Sequence, residues 1–173
     1  MRVRIDKAAL VKPLYRAQGV VDRKAATNVV ACVHMVAGDG VLVFTATDYD
    51  VTLSAEVAAE VDEPGAVLVN GRAFFDVVRA LPDGVEVTLT SDDSHRVRVE
   101  AGRSYYHLNG LGPEEFPDVV EDGAGRSLTL NKSQLEGMLR RTLFSVSADE
   151  SRPALNGVLL KIEPHEDGNA RLR

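Results

Sequence analysis

The feature of this sequence that most constrains its fold is a stretch that resembles the chain's own beginning. Residues 128–142, LTLNKSQLEGMLRRT, resemble residues 3–17, VRIDKAALVKPLYRA, at a constant offset of 125 positions. Seven pairs of like residues share this offset: Ile5 and Leu130, Asp6 and Asn131, Lys7 and Lys132, Leu10 and Leu135, Leu14 and Leu139, Val33 and Val158, and Met35 and Leu160. The offset persists over about thirty residues, which predicts a repeated structural unit. The alternative is a chance match between two strand–helix starts.

Each copy begins with the same local pattern. A short alternation of apolar and polar residues leads to a residue that commonly caps a helix, Asp6 or Asn131, and then to apolar positions four apart. This order predicts a β-strand followed by an amphipathic helix. We expect helices over residues 7–18 and 132–142. A third is expected over 72–81, where RAFFDVVRAL has helical spacing before the breaker PDG.

The region between the copies is rich in strand signals. VVACVHMVA and VLVFTATD flank the turn at residues 38–40 and predict a hairpin, and DVTLSAEVAAEV continues the alternation as one further strand. Additional strands are expected in EPGAVLVN before the second helix, and in VEVTLTS, HRVRVEAG and RSYYHLNGL after it. The first unit is therefore predicted to be strand, helix, about four strands, helix and about three strands, which is an α+β fold.

The sequence predicts two domains of unequal length. Residues 112–126 contain two prolines and five acidic residues, as is typical of a linker, so we assign residues 1–120 to a first domain and 121–173 to a second. The 47 residues after the linker would hold one helix and two or three strands. Units this short seldom bury enough surface to be stable alone, so we expect the second domain to be truncated.

Composition limits the class of protein. Of the 173 residues, 45% are hydrophobic and 27% are charged, and the single cysteine, Cys32, excludes an internal disulfide. No apolar run approaches the ~20 residues needed to cross a bilayer, and the N-terminus lacks the apolar core of a signal peptide. We therefore expect a cytoplasmic protein with no membrane partner.

Positive charge is concentrated in the three predicted helices. They carry eight basic residues and two acidic ones, whereas the whole chain has 20 basic and 26 acidic residues and a net charge of −6. Lys12 and Arg16 lie opposite the apolar face of the first helix, and Arg72 and Arg79 lie opposite that of the second. This distribution favours a polyanion such as nucleic acid as a partner, bound through its phosphates with only weak dependence on sequence. The alternative is that these are ordinary solvated helix faces.

The sequence offers no convincing catalytic arrangement. The four histidines lie at least a dozen residues apart, and the sequence contains no phosphate-loop, nucleophile-elbow or zinc-protease motif. Asp48 and Asp50 are candidates for paired carboxylates, but a solvated strand end explains them better because no base or third ligand lies nearby. We expect a non-catalytic binding protein with no metal and no cofactor.

Seven segments, in order along the chain, resemble the bacterial beta sliding clamp, the processivity subunit of DNA polymerase III. They are LVKPL (10–14), GVVDRK (19–24), VFTATDYD (43–50), GRAFFDVVRALPDG (71–84), AGRSYYHLNGL (101–111), EEFPD (114–118) and RPALNGVLL (152–160). The resemblance covers essentially the whole chain. It implies tandem clamp-fold domains, each with two helices on one face of antiparallel sheets, with the second domain incomplete and the third absent.

The resemblance also implies a function. In this family, two chains of three domains close head to tail into a homodimeric ring, whose helices line a hole for duplex DNA. The ring tethers the polymerase III core and meets the clamp loader. It is a non-catalytic accessory subunit, although the family is grouped with the DNA-directed DNA polymerases, which are nucleotidyltransferases. The resemblance and the charge pattern together give these DNA-binding candidates: Arg23, Lys24, Lys12, Arg16, Arg72, Arg79, Arg140 and Arg141.

Two protein-binding sites are implied by the resemblance as well. The dimer-interface candidates are Val77, Leu81, Arg103, Tyr106 and Leu108. In the family, the strand RSYYHLNGL is an edge that pairs with the third domain of the other subunit. The pocket for polymerase and loader peptides lies between the second and third domains, and only Leu155 of that pocket is present. We therefore expect that this chain alone cannot close the ring.

The chain departs from the family in two places, and two hypotheses follow. KAATNVVACV lacks the proline that commonly follows the basic loop, and the second domain stops before a TDGHR-like run. The first hypothesis is that the chain is the N-terminal part of a sliding clamp. The second is that it is a stand-alone interaction module with the clamp fold and no ring closure. A reading frame that continues with a third repeat would exclude the second hypothesis.

Overall fold

The chain forms two compact units, Met1–Glu121 and Asp122–Arg173. In the computed structural model the described residues are 1–21, 29–118, 129–149, 151–164 and 170–172. Within those ranges the first unit has nine strands and two α-helices, and the second has one α-helix and a two-stranded sheet. No helix in the described ranges is long and apolar enough to cross a membrane.

The first unit is built on one nine-stranded antiparallel sheet. Its strands are β1 (Arg2–Asp6), β2 (Cys32–Gly38), β3 (Val41–Thr47), β4 (Thr52–Ala58), β5 (Glu60–Glu63), β6 (Gly65–Asn70), β7 (Glu86–Ser91), β8 (Arg96–Ala101) and β9 (Ser104–Leu111). They lie in the order β4-β3-β2-β6-β9-β8-β7-β1-β5. Helices α1 (Lys7–Ala17) and α2 (Gly71–Ala80) share one core with the sheet, which confirms the predicted α+β class.

That core lies between the helix pair and one face of the sheet. The helix side chains in it are Leu10, Leu14, Ala17, Phe74 and Val78. Along β2, Val33 and Met35 are fully buried, while the side chain of His34 points to the opposite face of the sheet. Burying a large apolar side chain contributes about 1.5–3 kcal/mol, so this shared face fixes both helices on the sheet.

Both helices begin at a capping side chain. Asp6 Oδ1 accepts a hydrogen bond from the backbone N–H of Ala8 at 2.7 Å, which confirms the predicted cap of α1. Asn70 Oδ1 accepts one from the N–H of Ala73 at 3.0 Å and caps α2. Each bond satisfies a donor that has no partner inside the helix. The position of the capping residue in the sequence therefore fixes where each helix starts.

Within the first unit the strand pattern was predicted correctly except at one point. β2 and β3 form the predicted hairpin, with Gly38 opposite Val41. The single strand expected from DVTLSAEVAAEV is instead two strands, β4 and β5, separated by Ala59 and lying at opposite ends of the sheet. The N–H of Ala59 donates to the carbonyl oxygen of Gly40 at 2.9 Å. A break of one residue leaves the apolar–polar alternation almost unchanged, so periodicity alone does not reveal it.

Strand β9 joins the two halves of the sheet. It pairs with β8 from Ser104 to Asn109, and with β6 only at Gly110 and Leu111. A β-carbon at Gly110 would lie 2.6 Å from the carbonyl oxygen of Leu68, so only glycine allows the two backbones to approach this closely. The prediction that β9 is an edge strand is therefore wrong at its C-terminal end. Over residues 104–109 the described strands pair with it on one side only.

The predicted linker at residues 112–126 begins inside the first unit. Pro113–Glu115 form a short 3-10 helix against β6. The Phe116 ring lies 4.9 Å from the imidazole of His34, at an angle of 31°. The part of the linker up to Asp118 therefore packs on the outer face of the sheet, and residues 119–128 lie outside the described ranges.

The second unit has little buried surface. Helix α3 (Lys132–Thr142) begins at the predicted cap, Asn131, whose Oδ1 accepts from the N–H of Ser133 at 3.0 Å. No residue of α3 is buried. The large apolar side chains that this unit leaves exposed are Leu130, Leu143, Phe144, Leu155, Leu159, Leu160 and Ile162. Such exposure is expected of a unit too short to enclose a core.

The repeat is only partly reproduced in the second unit, because residues 129–130, where the sequence predicts a strand before α3, are not in a strand. Val158 and Leu160 match residues of β2 in sequence, but they are not in a strand; the two strands here are β10 (Ile162–Pro164) and β11 (Ala170–Leu172). In the first unit β2 pairs with both β3 and β6. The described part of the second unit offers no such pair of neighbours, so a segment with strand-like residues stays irregular.

Candidate nucleic-acid interface

Helices α1 and α2 lie side by side and expose their basic residues to solvent. Lys12 and Arg16 are exposed on α1, and Arg72 and Arg79 are exposed on α2. The apolar residues of both helices point the other way, into the core. Contact between Tyr15 and Phe75, whose ring centroids are 6.2 Å apart, joins the two exposed faces. We call these four cations and two rings the helix-pair face.

Lys7 does not belong to this face, although it was counted with the basic residues of the first helix. Its side chain is 9% exposed, and Nζ donates to the carbonyl oxygen of Leu81 at 2.6 Å and to Asp83 Oδ1 at 2.7 Å. This hydrogen bond and the nearby positive charge lower the pKa of Asp83. Lys7 therefore has a structural role, and the positive charge available to a partner is smaller than the sequence count.

The four cations of the helix-pair face make only weak interactions with other side chains. Arg72 Nε lies 3.9 Å from Asp76 Oδ2, and both side chains are largely exposed, so solvent screens this pair. The guanidinium of Arg79 lies 5.8 Å from the centre of the Phe75 ring, within the range of a cation–π contact. Within the described residues, Lys12 and Arg16 form no ion pair. Their charges are free to meet phosphate.

The other DNA-binding candidates are placed less completely. Arg140 on α3 lies 3.5 Å from Glu136, and Arg141 is exposed on the same helix. Arg23 and Lys24 fall in residues 22–28, outside the described ranges. The structure therefore brings together Lys12, Arg16, Arg72 and Arg79, and it describes Arg140 and Arg141 within the second unit alone.

The predicted dimer-interface residues divide into surface and core. Tyr106 and Leu108 pair with the buried residues Val99 and Val97, which places them on the helix side of the sheet. Helix α2, which carries Val77, contacts this strand. Tyr106 is 37% exposed, and Val77 and Leu108 are partly buried.

Arg103 and Leu81 have opposite surroundings. Arg103 is exposed in the turn before β9. Leu81 is 3% exposed and belongs to the core of the first unit, so its side chain is not available to a partner. Helical spacing places Leu81 with the apolar residues of the second helix, but it does not show whether that face is already covered.

The Leu155 side chain in the second unit is 53% exposed. Its backbone accepts a hydrogen bond from the N–H of Ser147 at 2.9 Å and donates one to the carbonyl of Arg152 at 2.9 Å. Leu155 is thus fixed in position while its apolar side chain remains open to solvent. It is the one predicted residue of the peptide pocket.

The residues considered for catalysis or metal binding have surroundings that suit a structural role. Asp48 Oδ1 accepts hydrogen bonds from the N–H groups of Asp50 and Val51, so it closes the turn after β3. Within the described ranges no group of three or more potential ligands is placed to hold a metal. Cys32 is buried, and burial raises the pKa of its thiol. Burial also lowers the pKa of His34.

The geometry is that of an α+β unit with two helices side by side on a continuous antiparallel sheet. The family model for the DNA polymerase III beta subunit, N-terminal domain, matches residues 1–120. The chain belongs to the beta sliding clamp family. The seven resembling segments thus identified the family correctly.

Relatives of this clamp-family chain are similar over nearly its whole length. It is 33% identical to the beta sliding clamp of Caulobacter vibrioides over 100% of the chain and 46% of the relative, and 30% identical to that of Escherichia coli K12 over 96% and 45%. The solved structure of Caulobacter crescentus pol III beta matches 99% of the chain and 46% of its own length at a TM-score of 0.90 and 32% identity. The clamp-family chain therefore spans about half the length of these relatives.

Proposed function

We propose that this chain is the N-terminal part of a DNA sliding clamp, a ring that encircles duplex DNA and tethers a replicative polymerase. The observation that carries the proposal is the helix-pair face. Lys12 and Arg16 on α1 and Arg72 and Arg79 on α2 share one exposed side of an otherwise acidic protein. Family membership supports the same assignment.

The proposed contacts are electrostatic and independent of sequence. The long basic side chains exposed on the two helices contact phosphates. The free energy of binding comes largely from the release of counterions. None of the four cations is in a buried, bidentate arrangement of the kind that reads a base edge. Contacts of this type hold a duplex weakly and allow it to slide. Arg23, Lys24, Arg140 and Arg141 belong to the same proposal.

The proposed ring requires a longer chain than these 173 residues. We assign residues 1–120 to the first clamp domain and residues 121–173 to the start of the second. The exposed apolar side chains around α3 would be covered by the rest of that domain. Residues 104–109 of β9 have no strand partner on one side among the described residues, and this side, with Val77, Arg103, Tyr106 and Leu108 around it, would pair with the third domain of a second subunit in a homodimer. Leu155 would form part of a pocket for polymerase and clamp-loader peptides.

In this proposal the clamp acts without catalysis, in the cytoplasm. Its classification with the DNA-directed DNA polymerases, and hence with the nucleotidyltransferases, would reflect the enzyme that it serves. No residue of the chain is assigned a chemical step.

Binding to a short duplex at several salt concentrations tests the DNA contact. We expect weak binding that falls steeply with salt, and we expect the Arg16→Ala/Arg79→Ala variant to reduce the slope of log K against log salt by about 2, because two phosphate contacts are lost. Arg98→Ala is the matched control, since Arg98 lies on the outer face of the sheet beside Glu100. Sequence preference, or affinity that does not change with salt, would contradict the proposal.

A further inference from the structure

The helix-pair face contains a cleft whose chemistry goes beyond phosphate binding. The cleft lies between α1 and α2, has a volume of about 250 Å³, and is lined by Tyr15, Gln18, Arg72, Phe75 and Asp76. It therefore combines two aromatic rings with a side-chain amide, a guanidinium and a carboxylate.

The aromatic side chains are placed to stack with a planar ligand. The Tyr15 side chain is 68% exposed, although tyrosine side chains are usually more buried. Its ring is inclined by 51° to that of Phe75, at 6.2 Å between centroids. The guanidinium of Arg79 lies 5.8 Å from the centre of the Phe75 ring. Tyr15 therefore presents an open ring face at a surface lined with cations.

The polar side chains of the cleft include an unused donor. Gln18 Nε2 is buried, and it has no hydrogen-bond partner among the described residues. Because Nε2 is closed to solvent, a ligand meets this donor only when the Gln18 side chain turns toward the cleft, which would relieve a cost of about 1–3 kcal/mol. Asp76 supplies an acceptor at the rim of the same cleft, and its ion pair with Arg72 is long at 3.9 Å.

We propose that this cleft binds an unpaired nucleobase of single-stranded DNA, which stacks on Tyr15 while the neighbouring cations hold the backbone. Every base has a flat face for stacking, so the site is expected to tolerate any base. In duplex DNA the base faces are covered by neighbouring pairs, so the duplex cannot use the cleft. This inference rests on the proposed DNA contact, because both use the helix-pair face.

The test compares single-stranded and duplex forms of one labelled oligonucleotide, titrated with the 173-residue chain at low salt. Tyr15→Ala should weaken single-strand binding by about tenfold, the order of magnitude contributed by one base–aromatic stack, and leave duplex binding within about twofold. Tyr15→Phe should retain single-strand binding. Tyr49→Ala is the matched control, since Tyr49 is 71% exposed in the turn after β3, outside the cleft.

A photo-crosslink locates the base directly. A single strand with one 5-iodouracil, irradiated with the wild-type chain, should attach to a peptide containing Tyr15 or Phe75, and the yield should fall in Tyr15→Ala. Equal effects of Tyr15→Ala and Tyr49→Ala on single-strand binding, or crosslinks only to other peptides, would overturn the inference. The proposed function would stand in that case if the duplex still binds. If neither form binds at low salt, both proposals fail.

Discussion

Lys7, in the first turn of α1, donates a hydrogen bond to the backbone carbonyl of Leu81 at 2.6 Å, across 74 residues of sequence. Leu81 directly follows α2, so this contact ties the start of one helix to the end of the other. The same ammonium meets Asp83 at 2.7 Å. A single side chain thus helps to set the relative position of the two helices that form the helix-pair face.

Lys7→Met should destabilise the first unit by roughly 1–3 kcal/mol, because the carbonyl of Leu81 would be left buried without a donor. The measurement is the free energy of unfolding from urea denaturation. Lys12→Met is the matched control: it removes the same charge from an exposed position of the same helix and should change stability by no more than about 0.5 kcal/mol. Equal losses in the two variants would show that the Lys7 contact is not structural.

The pKa of Asp83 is lowered by its contact with Lys7, and this sets a pH dependence. A carboxyl group whose pKa is lower in the folded state stabilises the fold at pH values above its unfolded pKa, and that contribution is lost as the pH falls through the folded pKa. We expect Asp83→Asn to destabilise the protein at pH 7, and the difference from wild type to shrink as the pH falls below about 4.

Asp93→Asn is the control for this pH series, because Asp93 is an exposed aspartate in the turn before β8. Thermal unfolding at pH 7, 5, 4 and 3 measures the effect. A wild-type advantage over Asp83→Asn that persists unchanged at pH 3 would be inconsistent with the predicted linkage.

Tyr106→Glu should reduce self-association of the chain. Residues 104–109 of β9 have backbone groups that pair on one side only among the described strands, and such strands tend to pair between molecules. A carboxylate at the half-exposed position 106 opposes that pairing by repulsion and desolvation. Light scattering over a range of concentrations should show irregular growth of the wild type and less growth of the variant.

Tyr49→Glu controls for the added charge alone, and it should leave the self-association unchanged. Circular dichroism should show that both variants keep the first unit folded. A discrete dimer that persists at all concentrations and is unaffected by Tyr106→Glu would mean that the interface lies elsewhere.

The chain should not bind the short peptides by which polymerase and loader subunits are proposed to engage a clamp. Leu155 is exposed and isolated, and one leucine cannot enclose the apolar anchors that supply most of the energy of such an interface. Isothermal titration with a clamp-binding peptide should give no measurable heat at micromolar concentrations. Micromolar affinity abolished by Leu155→Ala would show that the chain already contains a working pocket.

The sequence by itself determined the features that depend on neighbouring residues. Both predicted caps from the repeat, Asp6 and Asn131, hold helix N-termini, because a cap needs only the backbone two or three residues ahead. The β2–β3 hairpin was also predicted, since alternation and a glycine turn are local signals. The segment order was enough to identify the family.

The tertiary structure decided which of these residues are available to act. Lys7 and Leu81 resemble the basic and apolar members of any amphipathic helix, yet Lys7 is buried against a carbonyl 74 residues away, and Leu81 is buried in the core of the first unit. The break at Ala59 and the crossing at Gly110 depend on distant strands in the same way. Periodicity shows which side of an element is apolar, but burial depends on what packs against that side, and that is fixed only when the chain folds.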